Sequence, residues 1–141
     1  SVFLCAVSFI GLHWKYYKSL FLVLNVIVST IFNVVIKNIM MIPRPNILRL
    51  TDETGYSFPS GHSMASVAFY GFIIYLILSS NMNKYLKIVF SSFLVILIVV
   101  IGFSRVYLGV HNASDVIAGY AISTGLLLAD IMILKKRGLV K

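Results

Sequence analysis

Four apolar blocks, at residues 19–36, 64–78, 88–103 and 113–134, constrain this chain more than any other feature. A helix that crosses a bilayer needs about 20 mainly apolar residues, within a range of about 17–25. The second and third blocks fall slightly short of that, and flanking Gly, Ser and Tyr residues extend them. Composition agrees: 60% of the residues are hydrophobic and 11% charged, against about 25% charged in a soluble domain. The expected fold is all-α, a polytopic transmembrane helix bundle forming one domain over residues 1–141. Residues 1–12 are apolar but too short to span. They open on Ser1 without a basic lead, unlike a signal peptide. They read as the end of a helix that begins ahead of Ser1, so the bundle is expected to lack its first helix.

The net charge of +8 is a matter of topology. Lys15 and Lys18 precede the first block, Lys84 and Lys87 lie between the second and third, and Lys135, Lys136, Arg137 and Lys141 follow the fourth. Threading the chain back and forth places these on one side, which the positive-inside rule makes cytoplasmic. Lys37, Arg44, Arg49, Asp52, Glu53, Arg105 and Asp115 fall on the other side. The basic balance is therefore no nucleic-acid footprint, and the expected location is the cell membrane with these residues extracytoplasmic. Cys5 is the single cysteine, which excludes an intrachain disulfide and a cysteine metal cluster.

The main non-apolar connection, residues 43–59, contains Pro43, Pro45, Gly55 and Pro59, which prevent a continuous helix. The connections at 81–87 and 104–112 are short and favour antiparallel neighbours. Asn25, Ser29, Asn33 and Lys37 recur every four residues and share one helix face. Such a polar ridge should face protein or water. Small residues recur at Gly61, Ala65, Ala68 and Gly71, and at Ala118, Ala121, Gly125 and Ala129, as ordinary close packing requires. Asp130, near the inner end of the last block, is expected to pair with nearby lysines.

Three clusters at the outer edge carry chemistry. Lys37 and Arg44 are seven apart, close to two helical turns, so they converge if the helix persists. Together they ask for an anion; alone, each could snorkel to headgroups. Pro59, Ser60, Gly61 and His62 directly precede an apolar helix. Ser60 suits an N-cap, Gly61 admits close approach of a ligand, and free amides there suit phosphate. His62 is the side chain best able to donate a proton near neutral pH. Ser104, Arg105, His111 and Asp115 form the third cluster. A carboxylate on one ring nitrogen of His111 would leave the other free to attack; alone, the pair could simply tie a helix start. With so few carboxylates, a divalent metal finds few ligands. A metal-free phosphate site with a His nucleophile is the simplest chemistry that fits.

Lys37 with Arg44 and Pro45, then Pro59–Ser60–Gly61–His62, then Ser104 and Arg105 with His111 and Asp115, resemble the three signatures of the type 2 phosphatidic acid phosphatase superfamily (motifs at 37–45, 59–62 and 104–115). The resemblance covers nearly the whole chain. It implies the helical fold shared with acid phosphatases and vanadium haloperoxidases, and no cofactor. It implies His111 as the nucleophile of a phosphohistidine intermediate, Asp115 as its orienting partner and His62 as general acid. Lys37, Arg44 and Arg105, helped by Ser60 and Gly61, would clamp the phosphate. The implied substrate is a membrane lipid phosphate or diphosphate, with undecaprenyl diphosphate, phosphatidylglycerophosphate and phosphatidate as candidates. The motifs touch only phosphate, so the 43–59 loop, with Arg49, Asp52 and Glu53, is the expected place for headgroup selection. Two other classes remain: a non-catalytic anion-binding transport or scaffold protein, and a vanadate-dependent haloperoxidase, whose members are soluble.

Overall fold

The computed structural model describes residues 16–45, 50–51 and 53–138. The expected helix end at 1–12, Cys5, Lys15, Arg49, Asp52 and Lys141 lie outside the described residues. Four helices follow in order: α1 (Tyr16–Met40), α2 (Gly61–Leu78), α3 (Lys84–Tyr107) and α4 (Ala113–Lys136). All four are long and apolar enough to cross a membrane, and no strand occurs among the described residues. The chain is a multi-pass, all-helical membrane protein.

Most of the helices overrun their apolar blocks at one or both ends, where polar residues take up the termini. At the start of α3, the Asn83 side chain accepts the Tyr85 amide at 2.8 Å, filling one donor that a helix start leaves unpaired. α1 does not persist to Arg44. It ends at Met40, and Met41 takes a left-handed φ of 48°. Pro43 disfavours helical geometry for the residue before it. Arg44 is therefore delivered by the loop, not by two helical turns from Lys37.

The polar ridge of α1 faces protein, as expected. Asn25 Nδ2 donates to the Ala68 carbonyl at 2.7 Å, and Asn33 Nδ2 donates to the Pro59 carbonyl at 3.0 Å. Ser29 Oγ lies 3.4 Å from Ser123 Oγ, which in turn donates to the Met64 carbonyl at 2.8 Å. Lys37 Nζ donates to the Tyr56 carbonyl at 2.6 Å. Together these bonds fix α1 against α2, α4 and the loop that precedes α2, and tie α4 to α2. Within α2, residues Val67–Gly71 form a π-helical turn, the kind of local widening often found at functional sites. The Ala68 carbonyl that Asn25 engages belongs to this turn.

The small-residue ridge expected on α4 is not its packing face. Ala121, Gly125 and Ala129 are exposed, and the buried face runs through Asp115, Val116, Gly119, Ser123, Leu127 and Leu134. The decisive small residue is Gly119. A Cβ there would come within 3.0 Å of the Ser60 carbonyl oxygen and 3.2 Å of Ser63 Cβ. The α2–α4 approach thus depends on its absence.

At the opposite end from the signature residues, Leu22, Phe72, Leu76, Leu127 and Leu134 form the apolar core. Asp130 does not pair with the lysines of the last turn. Its Oδ2 is buried without a hydrogen-bond partner, because packing of the α4 stripe around Leu127 and Leu134 turns it inward. α3 buries only Gly102 and turns its large apolar side chains outward, as a lipid-facing helix does. It meets α4 through Tyr120, whose hydroxyl donates to the Ile98 carbonyl at 2.7 Å.

Candidate active site

Alternating helix direction brings the end of α1, the start of α2, the end of α3 and the start of α4 together at one end of the bundle. Loop bonds lock them there: Ser57 N to the Ile42 carbonyl at 2.8 Å, Leu50 N to the Leu108 carbonyl at 3.1 Å, and Ser60 N to the Asp115 carbonyl at 3.0 Å. All three signature clusters meet at this end.

Arg44 is the hub. Its Nε donates to the Gly55 carbonyl and its NH2 nitrogen to the Thr54 carbonyl, both at 3.2 Å. Its NH1 nitrogen donates to the Val110 carbonyl at 2.9 Å and lies 3.3 Å from His111 Nε2. One guanidinium thus ties the 43–59 loop to the segment that carries His111. Gly55, with a φ of 79°, permits the turn that aims these carbonyls at Arg44.

His111 and Asp115 do not share a helix. α3 ends at Tyr107 and α4 begins at Ala113, so His111 precedes the N-cap residue Asn112. Asp115 occupies the third helical position, where its Oδ2 accepts the Asn112 amide at 2.8 Å as half of a capping box. The same oxygen lies 3.6 Å from His111 Nδ1, too far for a direct hydrogen bond. Ser57 fills the gap. Its hydroxyl donates to Asp115 Oδ2 at 2.5 Å and lies 3.4 Å from His111 Nδ1. The only polarity consistent with both contacts has His111 Nδ1–H donating to Ser57 and Ser57 donating to Asp115. That tautomer leaves the lone pair of Nε2 facing Arg44. Ser57 is fully buried. A serine in a polar loop gives no sequence signal for this, since its partners lie 54 and 58 residues away.

His111 is held neutral. Burial, reinforced by the positive charges of Arg44 and Lys37, lowers its pKa from 6.5 to about 4. A neutral ring with an unprotonated Nε2 is the form that can attack an electrophile.

Glu53, expected in a selective loop, turns into the site. Its Oε2 lies 3.0 Å from the Arg44 NH1 nitrogen, its Oε1 lies 3.4 Å from the Arg105 NH1 nitrogen, and Oε2 stands 3.9 Å from His111 Nε2. A cavity of about 370 Å³ opens beside it, lined at its polar end by Lys37, Arg44, Glu53, Gly61, His62 and His111. It continues along Asn33, Ser29 and Thr30 of α1 and Met64 and Ala65 of α2. Arg105 reaches this cluster through Glu53, and Asp115 stands behind His111.

Ser60 is the N-cap residue of α2, yet its hydroxyl makes no capping bond; it accepts from Ser63 Oγ at 3.0 Å. Its side chain is fully buried and does not line the cavity. Gly61 lines the cavity, and a Cβ there would come within 3.1 Å of Asn33 Oδ1. The first amides of α2 therefore stand close to the cluster, as anion binding at a helix start requires. Among the described residues no group of three or more His, Cys, Asp or Glu side chains is arranged to hold a metal ion.

The sequence matches the PAP2 superfamily over residues 18–138. It is 40% identical over 100 residues to phosphatidylglycerophosphatase B of Bacillus subtilis (strain 168), covering 70% of this chain and 48% of that protein. It is 36% identical over 124 residues to dolichyldiphosphatase of Saccharomyces cerevisiae (strain ATCC 204508 / S288c), covering 81% of this chain and 52% of that protein. The chain thus spans about half the length of these relatives. Among solved structures, the transmembrane PAP2 type phosphatidylglycerolphosphate phosphatase from Bacillus subtilis superposes with a TM-score of 0.85 at 28% identity, covering 96% of this chain and 70% of that one.

Proposed function

Because the chain belongs to the PAP2 superfamily, we propose that it is a lipid phosphatase that hydrolyses the phosphomonoester or diphosphate of a membrane lipid through a phosphohistidine at His111. The observation that carries this reading is the convergence of Lys37, Arg44, His62 and a neutral His111 on one cavity at the bundle end, with Arg105 joined to it through Glu53. The relatives, a phosphatidylglycerophosphatase and a dolichyldiphosphatase, support a lipid phosphate or diphosphate as substrate class.

In this mechanism Lys37, Arg44 and Arg105 hold the equatorial oxygens of the phosphate, with the Gly61 amide beside them. Spreading positive charge over those oxygens is the main requirement of phosphoryl transfer. His111 Nε2 attacks phosphorus, and the bond to the leaving oxygen breaks. His62, in its protonated form, delivers a proton to that oxygen. The positive charge developing on His111 is stabilised by Asp115 through the hydrogen bonds that run from Nδ1–H to Ser57 and from Ser57 to the carboxylate. His62, now neutral, takes a proton from water as the water oxygen attacks phosphorus. Phosphate leaves and His111 Nε2 is restored. The cations supply the charge that a metal would otherwise bring, so no metal enters this sequence. Ser60 acts through position, tying the start of α2 to Asp115 by its amide.

The site faces the extracytoplasmic side of the cell membrane in this reading. Lys18, Lys84, Lys87, Lys135, Lys136 and Arg137 lie at the other end of the helices and mark it as cytoplasmic. Phosphate release from undecaprenyl diphosphate, phosphatidylglycerophosphate and phosphatidate in detergent, with EDTA present, tests the proposal. Release from at least one substrate, unaffected by EDTA and abolished in His111→Ala, is expected. Activity lost with EDTA would remove the metal-free mechanism. A wild-type protein that releases nothing, yet binds phosphate, would favour an anion-binding scaffold.

A further inference from the structure

Glu53 places a carboxylate where a phosphate would have to sit. One oxygen faces Arg44 at 3.0 Å, the other faces Arg105 at 3.4 Å, and the group stands 3.9 Å from His111 Nε2. No phosphate can contact both guanidiniums and His111 while Glu53 remains there. The position is built. Arg44 also grips the Thr54 and Gly55 carbonyls that follow Glu53 in the chain. The Arg44 side chain is 6% exposed, so its charge is poorly hydrated and strongly attracts any anion that reaches it.

A cationic cavity at the level of lipid headgroups faces a particular hazard. In a bilayer such a cavity meets anionic phosphodiester headgroups as well as phosphomonoesters. Each diester carries one negative charge and cannot be cleaved by a monoesterase. Without a competitor such headgroups would occupy the clamp. We propose that Glu53 is a specificity-determining residue: a tethered, displaceable carboxylate that sets a charge threshold, admitting phosphomonoester and terminal diphosphate groups while excluding phosphodiester headgroups. A phosphomonoester carries about −1.5 to −2 charge at neutral pH and outbids a single carboxylate for two guanidiniums. A diester carries no more charge than Glu53, which is held beside the clamp by its own chain and so at high effective concentration. Discrimination arises by penalising the wrong ligand more than the right one.

The substrate half of this inference rests on the phosphatase reading above; the binding half does not, and the two are tested separately. Inorganic phosphate and dimethyl phosphate serve as dianionic and monoanionic probes. They are titrated calorimetrically into the intact protein in zwitterionic detergent at mildly alkaline pH, for wild type, Glu53→Gln and Glu53→Asp. Wild type is expected to bind phosphate and to take up dimethyl phosphate far more weakly. In Glu53→Gln the preference for phosphate over dimethyl phosphate should shrink at least ~10-fold, about 1.4 kcal/mol. Glu53→Asp, which keeps the charge, should retain most of the preference and serves if the glutamine variant does not fold. An unchanged preference in Glu53→Gln, or its loss in Glu53→Asp as well, overturns the proposal. In mixed micelles, phosphatidylglycerol should inhibit lipid phosphate hydrolysis by Glu53→Gln at a much lower mole fraction than by wild type; equal inhibition counts against it. If the probe titrations come out as expected and no lipid phosphate is hydrolysed by wild type, the charge threshold stands and the phosphatase reading falls.

Discussion

Single side chains decide whether His111 is ready to react. Its pKa of about 4 means that the folded protein refuses a proton which the unfolded chain takes up near 6.5. Stability from this residue is therefore intact above about pH 6.5 and is lost as pH falls from there towards about 4. Titration of the labelled ring by NMR should give a midpoint well below 6.5, and Arg44→Gln should raise it by removing a nearby positive charge. A midpoint at 6.5 or above would contradict burial as the main cause. Ser57→Ala removes the hydroxyl between His111 Nδ1 and Asp115 Oδ2. Loss of that hydrogen-bonded link should lower kcat by at least ~10-fold, about 1.4 kcal/mol of transition-state stabilisation, with KM little changed. Ser57→Thr should recover part of it. An equal effect on KM with kcat intact would assign Ser57 to binding instead.

At the scale of elements, the site depends on how closely α2 and α4 approach. Gly119→Val puts atoms into the space held by the Ser60 carbonyl and Ser63. It should destabilise the protein by about 1–3 kcal/mol, measured as a lower melting temperature in detergent, and should reduce turnover by shifting Ser60 relative to Asp115. The helices were legible from hydropathy because lipid leaves the backbone no alternative to internal hydrogen bonding. The inward face of α1 was legible too, since Asn25, Ser29 and Asn33 repeat at helical spacing and each found a partner. The inward face of α4 was not. Its alanines and glycines suggested one stripe, while the adjacent stripe of Gly119, Ser123 and Leu127 is the buried one. Two small-residue stripes on one helix look alike until a neighbour is packed against one of them.

Across the whole molecule, the signature residues could be named from sequence, but their linkage could not. Lys37 and Arg44 were expected to converge if one helix carried both; the left-handed residue Met41, followed by Pro43, instead sends Arg44 into a loop. Glu53 and Ser57 enter the site through contacts to residues 52 and 58 positions away, and no local spacing encodes contacts across more than 50 residues. Topology belongs to this scale as well. In a cysteine-free background, Thr54→Cys in intact cells should react with a membrane-impermeant thiol reagent and Lys84→Cys should not. The reverse pattern would turn the site to the cytoplasm.

The phosphoenzyme itself is the most direct test of the chemistry. A lipid phosphate bearing a radioactive phosphorus is mixed with the protein and quenched within the first turnover under alkaline conditions, and the labelled peptide is mapped. Label on the peptide that carries His111, disappearing as turnover proceeds and absent from His111→Ala, is the expected result. Phosphate released at full rate with no labelled protein, or by His111→Ala as fast as by wild type, would contradict a phosphohistidine at His111.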